Sequence, residues 1–372
     1  MNNLQVYKLE KNNNIDIFTK DKNLVISSPY QNNPLFSLGY HYFIGRTRGA
    51  MSITDKLESK NDFYYVVNPY ELSIPNYEDT LNNLSKVYLK KEIESRDFYK
   101  LWEIFFLFDI ANESNLEFLI LEDNGEEIVF KLFRNKFYDK KSKKDKINKK
   151  YKKGVKADII IANKVSNTEN NFVEVLIDQI KNILESQNKN GHLVLKIYDT
   201  FTMSTLKLIY LITSMYSESY IYKPFFSRPS DTEKYIICKN FNLTDKQKST
   251  SLKKIIDNLD IIIKEKKQYI SDLFLDVELS KEFIDLFKFT NIKLVNQQQI
   301  LINEIVKYIK DNNYFGDKYH NYRNTQIEAT QLWVTNFFPP SNNLYKTNKE
   351  ALTKLLKTIY EKNNLEKNKF NL

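Results

Sequence analysis

Residues 191–241 read GHLVLKIYDTFTMSTLKLIYLITSMYSESYIYKPFFSRPSDTEKYIICKNF. His192 to Tyr198 is an apolar, β-branched run of strand length, and Phe201 to Tyr216 carries Leu206, Ile209, Tyr210, Ile212 and Thr213 at helical spacing. Ser219 to Phe226 and Tyr235 to Phe241 read as two further strands, joined by a polar turn with Arg228, Pro229, Ser230 and Asp231. Strand, helix and strand pair form the closing half of an open α/β sheet, a fold that places function at the carboxyl ends of its strands. Two charges stand out. Lys196 interrupts the apolar run Leu193-Val194-Leu195 and Ile197, where an ammonium is costly unless it is paired or used. Glu233 opens a strand after a turn rich in hydrogen-bonding side chains. Taken singly, they read as an edge lysine snorkelling to water and a solvated turn carboxylate.

Working upstream, Ser95 to Ile110 has the pattern of a helix. Ser95 is its N-cap, Phe98, Leu101, Trp102, Phe105 and Leu107 are its buried side, and Lys100 lies at the edge of that stripe. A strand, Phe118 to Leu121, a turn, Glu122 to Glu126, and the apolar run Ile128 to Phe133 follow. Tyr138 to Lys156 (YDKKSKKDKINKKYKKGVK) is a basic, low-complexity segment expected as a solvated loop with nonspecific RNA affinity. Ala157 to Ala162 (ADIIIA) reads as a buried parallel strand ending at Asn163, and Glu169 to Glu185 as a helix with Val173, Leu176, Ile177, Ile180, Ile183 and Leu184 on one face.

These pieces together resemble the FtsJ family of S-adenosylmethionine-dependent RNA ribose 2′-O-methyltransferases, in the cap-methyltransferase-like form found in large cytoplasmic DNA viruses. The resemblance rests on Gly191 to Thr202 (GHLVLKIYDTFT), Lys223-Pro224, Ser227-Arg228-Pro229, Thr232-Glu233-Lys234-Tyr235 and the upstream Ser95 to Leu101 (SRDFYKL). It covers about Ser95 to Phe241. It implies a Rossmann-like methyltransferase sheet with helices on both faces, so the fold class is α/β. It also implies a Lys-Asp-Lys-Glu set around the ribose 2′-hydroxyl and the sulfonium methyl, in which one lysine helps remove the proton and the carboxylates orient the lysines.

Lys100, Lys196 and Glu233 match the first, third and fourth members of that set. The second should be an aspartate in an Ala-Asp-Gly-Gly pattern, but Ala162-Asn163-Lys164-Val165 stands there. An amide at Asn163 leaves the set at +1 and removes the anchor that aims the base. The family's cofactor loop has an acidic residue followed by Pro-Gly-Gly, so that backbone amides approach the cofactor's methionine part. Here the loop reads Glu122-Asp123-Asn124-Gly125-Glu126-Glu127. Glu122, Asn124 and Gly125 are the candidate cofactor contacts, while Glu126 places a side chain and a charge where backbone belongs. No acidic residue for the adenosine ribose is assigned.

The expectation is therefore an FtsJ-like protein with impaired catalysis that acts as an RNA-binding or scaffolding subunit. An active S-adenosylmethionine-dependent enzyme is one alternative, and a virion or complex component without an RNA role is another.

The flanks are expected as an α+β N-terminal extension, 1–93, and a helical C-terminal region, 243–372, around the methyltransferase domain, 94–242. In the first, Tyr40 to Ile44 and Phe63 to Val67 are short aromatic or β-branched runs, and Gly39 to Arg48 mixes aromatic and basic side chains that suit RNA or an ordinary core. In the second, amphipathic helices are expected at Leu252–Lys264, Lys281–Phe289, Gln297–Ile309, Gln326–Phe337 and Glu350–Tyr360, packing on the sheet or on a partner protein.

The 372-residue chain carries 56 Lys and Arg against 47 Asp and Glu, a formal charge of +9. This balance suits a polyanion such as RNA, and equally an AT-rich coding sequence. A single cysteine, Cys238, permits no internal disulfide and no thiolate zinc cluster, and reads as a buried small hydrophobe in a reducing compartment. His41 and His320 have no partner at metal-ligand spacing, so no metal is expected. The start lacks the basic and apolar regions of a signal peptide, and no apolar run is long enough to span a membrane. A soluble protein of the cytoplasm, or of a virion, is expected.

Overall fold

A strand that is apolar on both faces needs cover on both. Ala157–Ala162 (β5) forms such a strand, at the bounds its sequence suggests. The protein is described here by a computed structural model covering residues 5–10, 14–30, 34–57, 63–71, 93, 95–122, 125–243, 247, 250–312 and 316–338. In it β5 lies within a seven-stranded sheet made also of β1 (Gln5–Lys8), β3 (Glu117–Ile120), β4 (Lys146–Asn148), β6 (Gln187–Ile197), β7 (Tyr216–Lys223) and β8 (Lys234–Phe241). The order is β1-β7-β8-β6-β5-β3-β4. The pairs β4–β3, β3–β5 and β5–β6 are parallel. β8 runs antiparallel to both β6 and β7, as its short connection to β7 requires, and β1 closes the far edge antiparallel to β7. A second, two-stranded sheet pairs β2 (Val25–Ser28) with β9 (Tyr269–Leu273).

Side-chain alternation divides the core between the two faces of the large sheet. Phe118, Ile120, Ile159, Ile161, Val194, Tyr235 and Ile237 face α2 (Arg96–Phe108), α3 (Glu126–Ser142) and α8 (Asp317–Phe337). Leu119, Ile160, Leu193, Leu195, Ile236 and the buried Cys238 face α4 (Glu169–Ser186), α5 (Met203–Thr213) and α6 (Ser251–Glu265). The architecture is thus α/β, a Rossmann-like sheet with helices on both sides. α1 (Leu38–Gly49) and the 3-10 segments Ala50–Lys56 and Phe63–Val67 pack on the long α7 (Lys281–Asp311). Gly191 is fixed by backbone approach: a Cβ there would lie 2.8 Å from the Asp158 carbonyl oxygen on β5.

Several expectations change. The basic segment is not a loop throughout. Its first residues complete α3, which starts at Glu126 and absorbs Ile128 to Phe133, and Lys146–Asn148 becomes the edge strand β4 because half-buried Ile147 packs on the α2–α3 side. Tyr40 to Ile44 lies within α1, capped by the Ser37 side chain. The two amphipathic stretches Lys281–Phe289 and Gln297–Ile309 are one continuous helix, and the C-terminal third contributes a strand, β9. The stretch Glu350–Tyr360 lies outside the described residues.

Candidate active site

Lys196 sits opposite Tyr235 in the β6–β8 ladder. Glu233, two residues before Tyr235, therefore shares its face of the sheet. That face is covered by α2, whose first turn overhangs the carboxyl end of β6. Ser95 caps the helix by accepting the Asp97 N–H at 3.2 Å, and Asp97 and Lys100, three apart, lie on one side of it.

Four charges meet there. Lys100 Nζ is 2.8 Å from Glu233 Oε2, and Lys196 Nζ is 3.0 Å from Glu233 Oε1. Asp97 spans the same two ammonium groups from the other side, at 2.8 Å from Lys100 and 3.2 Å from Lys196. The result is a closed ring of alternating sign with no net charge. Its side chains are 3% exposed at Glu233, 8% at Lys100, 11% at Lys196 and 25% at Asp97, so Asp97 is the most solvent-exposed member. Burial lowers the Lys196 pKa, but Glu233 and Asp97 outweigh it, so Lys196 titrates above the usual lysine range. Burial likewise opposes ionisation of Glu233, yet Lys100 and Lys196 hold it below the usual carboxylate range. Asp97 is lowered by the same two lysines.

The loop that presents Glu233 is tied from below. Buried Lys223 donates to Ser227 Oγ at 3.0 Å and to the carbonyls of Asp231 at 2.7 Å and Glu233 at 3.0 Å. Desolvation brings the Lys223 pKa down to about 7. Ser227 Oγ in turn donates to Glu233 Oε2 at 2.8 Å, and Arg228 pairs with Glu71 at 2.9 Å. The Ser-Arg-Pro turn is thus a scaffold for one carboxylate.

Asn163 points elsewhere. Its amide donates to the Glu122 carbonyl at 2.8 Å and to the Glu126 carboxylate. Among the described residues no hydrogen bond or ion pair joins it to Lys100 or Lys196, and its Oδ1 is buried without a hydrogen-bond partner. Glu126, 2% exposed, turns inward from the first turn of α3. Gly125 precedes it with φ of 107°, a conformation that favours glycine, and Glu122 forms a bridge with Lys150. Asn124 lies outside the described residues.

The structure therefore brings Lys100, Lys196 and Glu233 together and sets Asn163, Glu122 and Gly125 around the turn after β3. The +1 charge expected for the set does not arise, because Asp97 completes it. Asp97 escaped the sequence reading, although its i, i+3 spacing to Lys100 was the available signal.

Beside the ring lies an open cleft of about 390 Å³ lined by Arg48, Thr168, Phe172, Tyr198, Asp199 and Gln298, among others. Arg48, from the Gly39–Arg48 segment, forks onto both oxygens of Asp199 at 2.8 Å, and Asp199 also accepts from Thr232 at 2.7 Å. Among the described residues no group of three or more His, Cys, Asp or Glu is placed to hold a metal ion, and no helix is long and apolar enough to cross a membrane.

A mostly parallel sheet with its antiparallel β8, helices on both faces and a lysine–carboxylate ring at the strand ends defines a Rossmann-like methyltransferase fold. Residues 140–241 match the family described as FtsJ-like methyltransferase. The chain is 24% identical over 251 residues to an uncharacterized protein of Acanthamoeba polyphaga mimivirus, covering 65% of this chain and 66% of the relative. It is also 44% identical over 68 residues to cap-specific mRNA (nucleoside-2′-O-)-methyltransferase 1 of Dictyostelium discoideum, covering 18% of this chain and 9% of that protein. For the Caenorhabditis elegans protein of the same name the figures are 30% over 153 residues, 39% and 16%. The chain thus spans about two thirds of the mimivirus relative and only a small part of the two cap methyltransferases.

Proposed function

We propose that the protein is an RNA ribose 2′-O-methyltransferase whose reacting hydroxyl is held at the Lys100–Lys196 ring. The observation that carries this reading is the ring itself. Taking four charges out of water is expensive, and well-packed apolar residues would hold the fold as well or better. An alternating ring at the strand ends is what a site needs to orient a hydroxyl and accept its proton.

S-adenosylmethionine, which the family uses, carries cationic groups, and two acceptors near the end of β5 suit one of them. Asn163 Oδ1 is buried and without a hydrogen-bond partner among the described residues, and the Glu126 carboxylate lies against the same amide. On this reading Glu126 and Asn163 hold the ammonium of the methionine part. Bound there, S-adenosylmethionine would supply the methyl group for O2′, and the hydroxyl proton displaced from O2′ would be left to this chain's residues.

The chain's residues manage that proton. With its pKa held high, Lys196 is a hydrogen-bond donor at neutral pH and orients O2′ rather than deprotonating it in advance. An ether oxygen bearing a proton is far more acidic than a carboxylic acid, so a carboxylate of the ring is base enough once the new bond forms. Proximity and alignment supply the rest. Arg48, from α1, and Tyr198 line the adjoining cleft, the route by which the RNA flanking that ribose would pass.

A second reading, favoured by the inward Glu126, keeps the fold as an RNA-binding or scaffolding subunit with impaired transfer. Here Glu126 blocks the methyl donor instead of holding it. Residues 243–372 would then also present a protein-binding surface. Two measurements separate the readings: transfer of labelled methyl to capped and uncapped RNA by the full chain, and calorimetric titration with S-adenosylmethionine. The enzyme reading expects transfer, and a Glu126→Gln variant that binds the cofactor at least roughly tenfold more weakly through loss of a charged partner. No transfer, with binding that appears only in Glu126→Gln, would establish the second reading.

A further inference from the structure

Removing the carboxylate that orients two buried lysines should scatter them, yet Lys100 and Lys196 are held within 3.2 Å of acidic oxygens on both sides. The residue responsible is Asp97. We propose that Asp97 is the positioning residue of this centre, doing from the first turn of α2 what an aspartate after β5 does in the resemblance that places one at 163. The proposal rests on the methyltransferase reading above and deepens it.

Three observations carry it beyond a surface ion pair. One Asp97 carboxylate reaches both lysines: Lys100 donates to Oδ1 at 2.8 Å, and Lys196 donates to Oδ2 at 3.2 Å and to Oδ1 at 3.4 Å. It sits in the first turn of a capped helix, where the helix dipole favours an anion and the Ser95 bond fixes its backbone. It is also the most exposed member of the ring, so the group that aligns the lysines is the one solvent, or a ligand, reaches most readily. Asn163 makes its hydrogen bonds to Glu122 and Glu126 and not to the lysines.

This relocation reverses the obvious repair. Asn163→Asp would not restore a missing anchor, because none is missing. It would remove the amide that donates to Glu126 and set two carboxylates against each other.

The test uses the full chain and the variants Asp97→Asn, Asp97→Glu, Asn163→Asp and the double Asp97→Asn/Asn163→Asp. Labelled methyl transfer is measured across pH, alongside ¹⁵N NMR of the lysine ammonium groups. Asp97→Asn is expected to lower kcat roughly 100- to 10,000-fold with little change in KM. It should also move the alkaline limb to lower pH, because Lys196 loses one of its two carboxylates. Asp97→Glu should recover part of the rate, Asn163→Asp should lower transfer, and the double variant should not be rescued. An unchanged rate and pH profile in Asp97→Asn, or a gain in Asn163→Asp, would overturn the proposal. If wild type transfers no methyl, the methyltransferase reading fails separately. The ammonium spectra then decide on Asp97 alone: a lowered Lys196 pKa in Asp97→Asn supports its hold on the lysines, and an unchanged one refutes it.

Discussion

Glu233 is the most confined charge of the centre, and its environment sets how the protein answers to acid. It accepts from Lys100, Lys196 and Ser227, and desolvation is outweighed by the two lysines. Its folded pKa lies below its unfolded one. Its contribution to stability is therefore fully present above the unfolded carboxylate range and is lost as pH falls through the folded value. Glu233→Gln leaves two buried ammonium groups sharing Asp97 alone. Breaking a buried pair by removing one partner typically costs about 3–5 kcal/mol, and urea unfolding at neutral pH should show a loss of that order. The deficit should shrink as pH drops below the carboxylate range, because wild type is then losing the same interaction. A deficit that stays constant down to strongly acidic pH would show that Glu233 is not held as an ion.

At the scale of the element, α2 has a second buried carboxylate with the opposite pH response. From Phe98 to Phe108 every residue of α2 is buried, because the helix lies between the sheet and the neighbouring helices α3 and α8. Glu103 accepts from Tyr222 Oη at 2.6 Å, Trp333 Nε1 at 2.8 Å and the Phe225 N–H at 2.8 Å. Burial still pushes its pKa up to about 7 against those donors. The folded state then binds a proton more tightly than the unfolded state, so stability falls as pH rises from the unfolded carboxylate value to about 7 and is level beyond. The size is on the order of 3 kcal/mol. In Glu103→Gln this slope should vanish, and the stability difference between wild type and variant, from urea midpoints at acidic and mildly alkaline pH, should narrow as pH rises. A gap that widens instead would mean Glu103 is ionised throughout.

Elements were legible where one physical signal dominated. The run Ala157–Ala162 is apolar on both faces, and strand and bounds agree with the reading. α7 appeared as two helices because Thr290 and Asn291 break the apolar stripe. Both are buried, and Asn291 is satisfied by Thr200, accepting from its hydroxyl at 2.9 Å and donating to its carbonyl at 2.8 Å. Periodicity cannot register a buried polar pair between residues 91 apart. β6 begins at Gln187, ahead of its apolar core, because its polar start pairs with Ala157. At the centre, the meeting of Lys100, Lys196 and Glu233 was legible in motif order. Asp97 was not, because its second lysine lies 99 residues away and meets it only through the way α2 crosses the end of β6.

For the whole molecule, the distribution of the +9 charge matters more than its size. Part of the basic segment is used internally: Lys146 pairs with Glu117, Lys149 with Glu127, and Lys141 and Lys156 donate to the carbonyls of Asn112 and Glu185. Lys143, Lys144, Lys152 and Lys153 remain exposed at the β4 side of the sheet, where the Glu122–Lys150 bridge links that edge to the turn after β3. On the proposed RNA function, phosphates lying on this edge would meet these lysines and release counterions. Binding to unstructured RNA should therefore be weak and should fall steeply with salt. For single strands each such contact contributes about 0.7 to the slope of log K against log salt, so changing these four lysines together to Gln should reduce the slope by up to about 3. Since all four side chains are solvated, thermal unfolding should move little. Filter binding across a salt series is the measurement. If the slope is unchanged in the quadruple variant while wild type binds, RNA does not use the β4 edge, and the cleft lined by Arg48 is the alternative surface. If wild type shows no retention even at low salt, the RNA-binding reading loses its electrostatic basis.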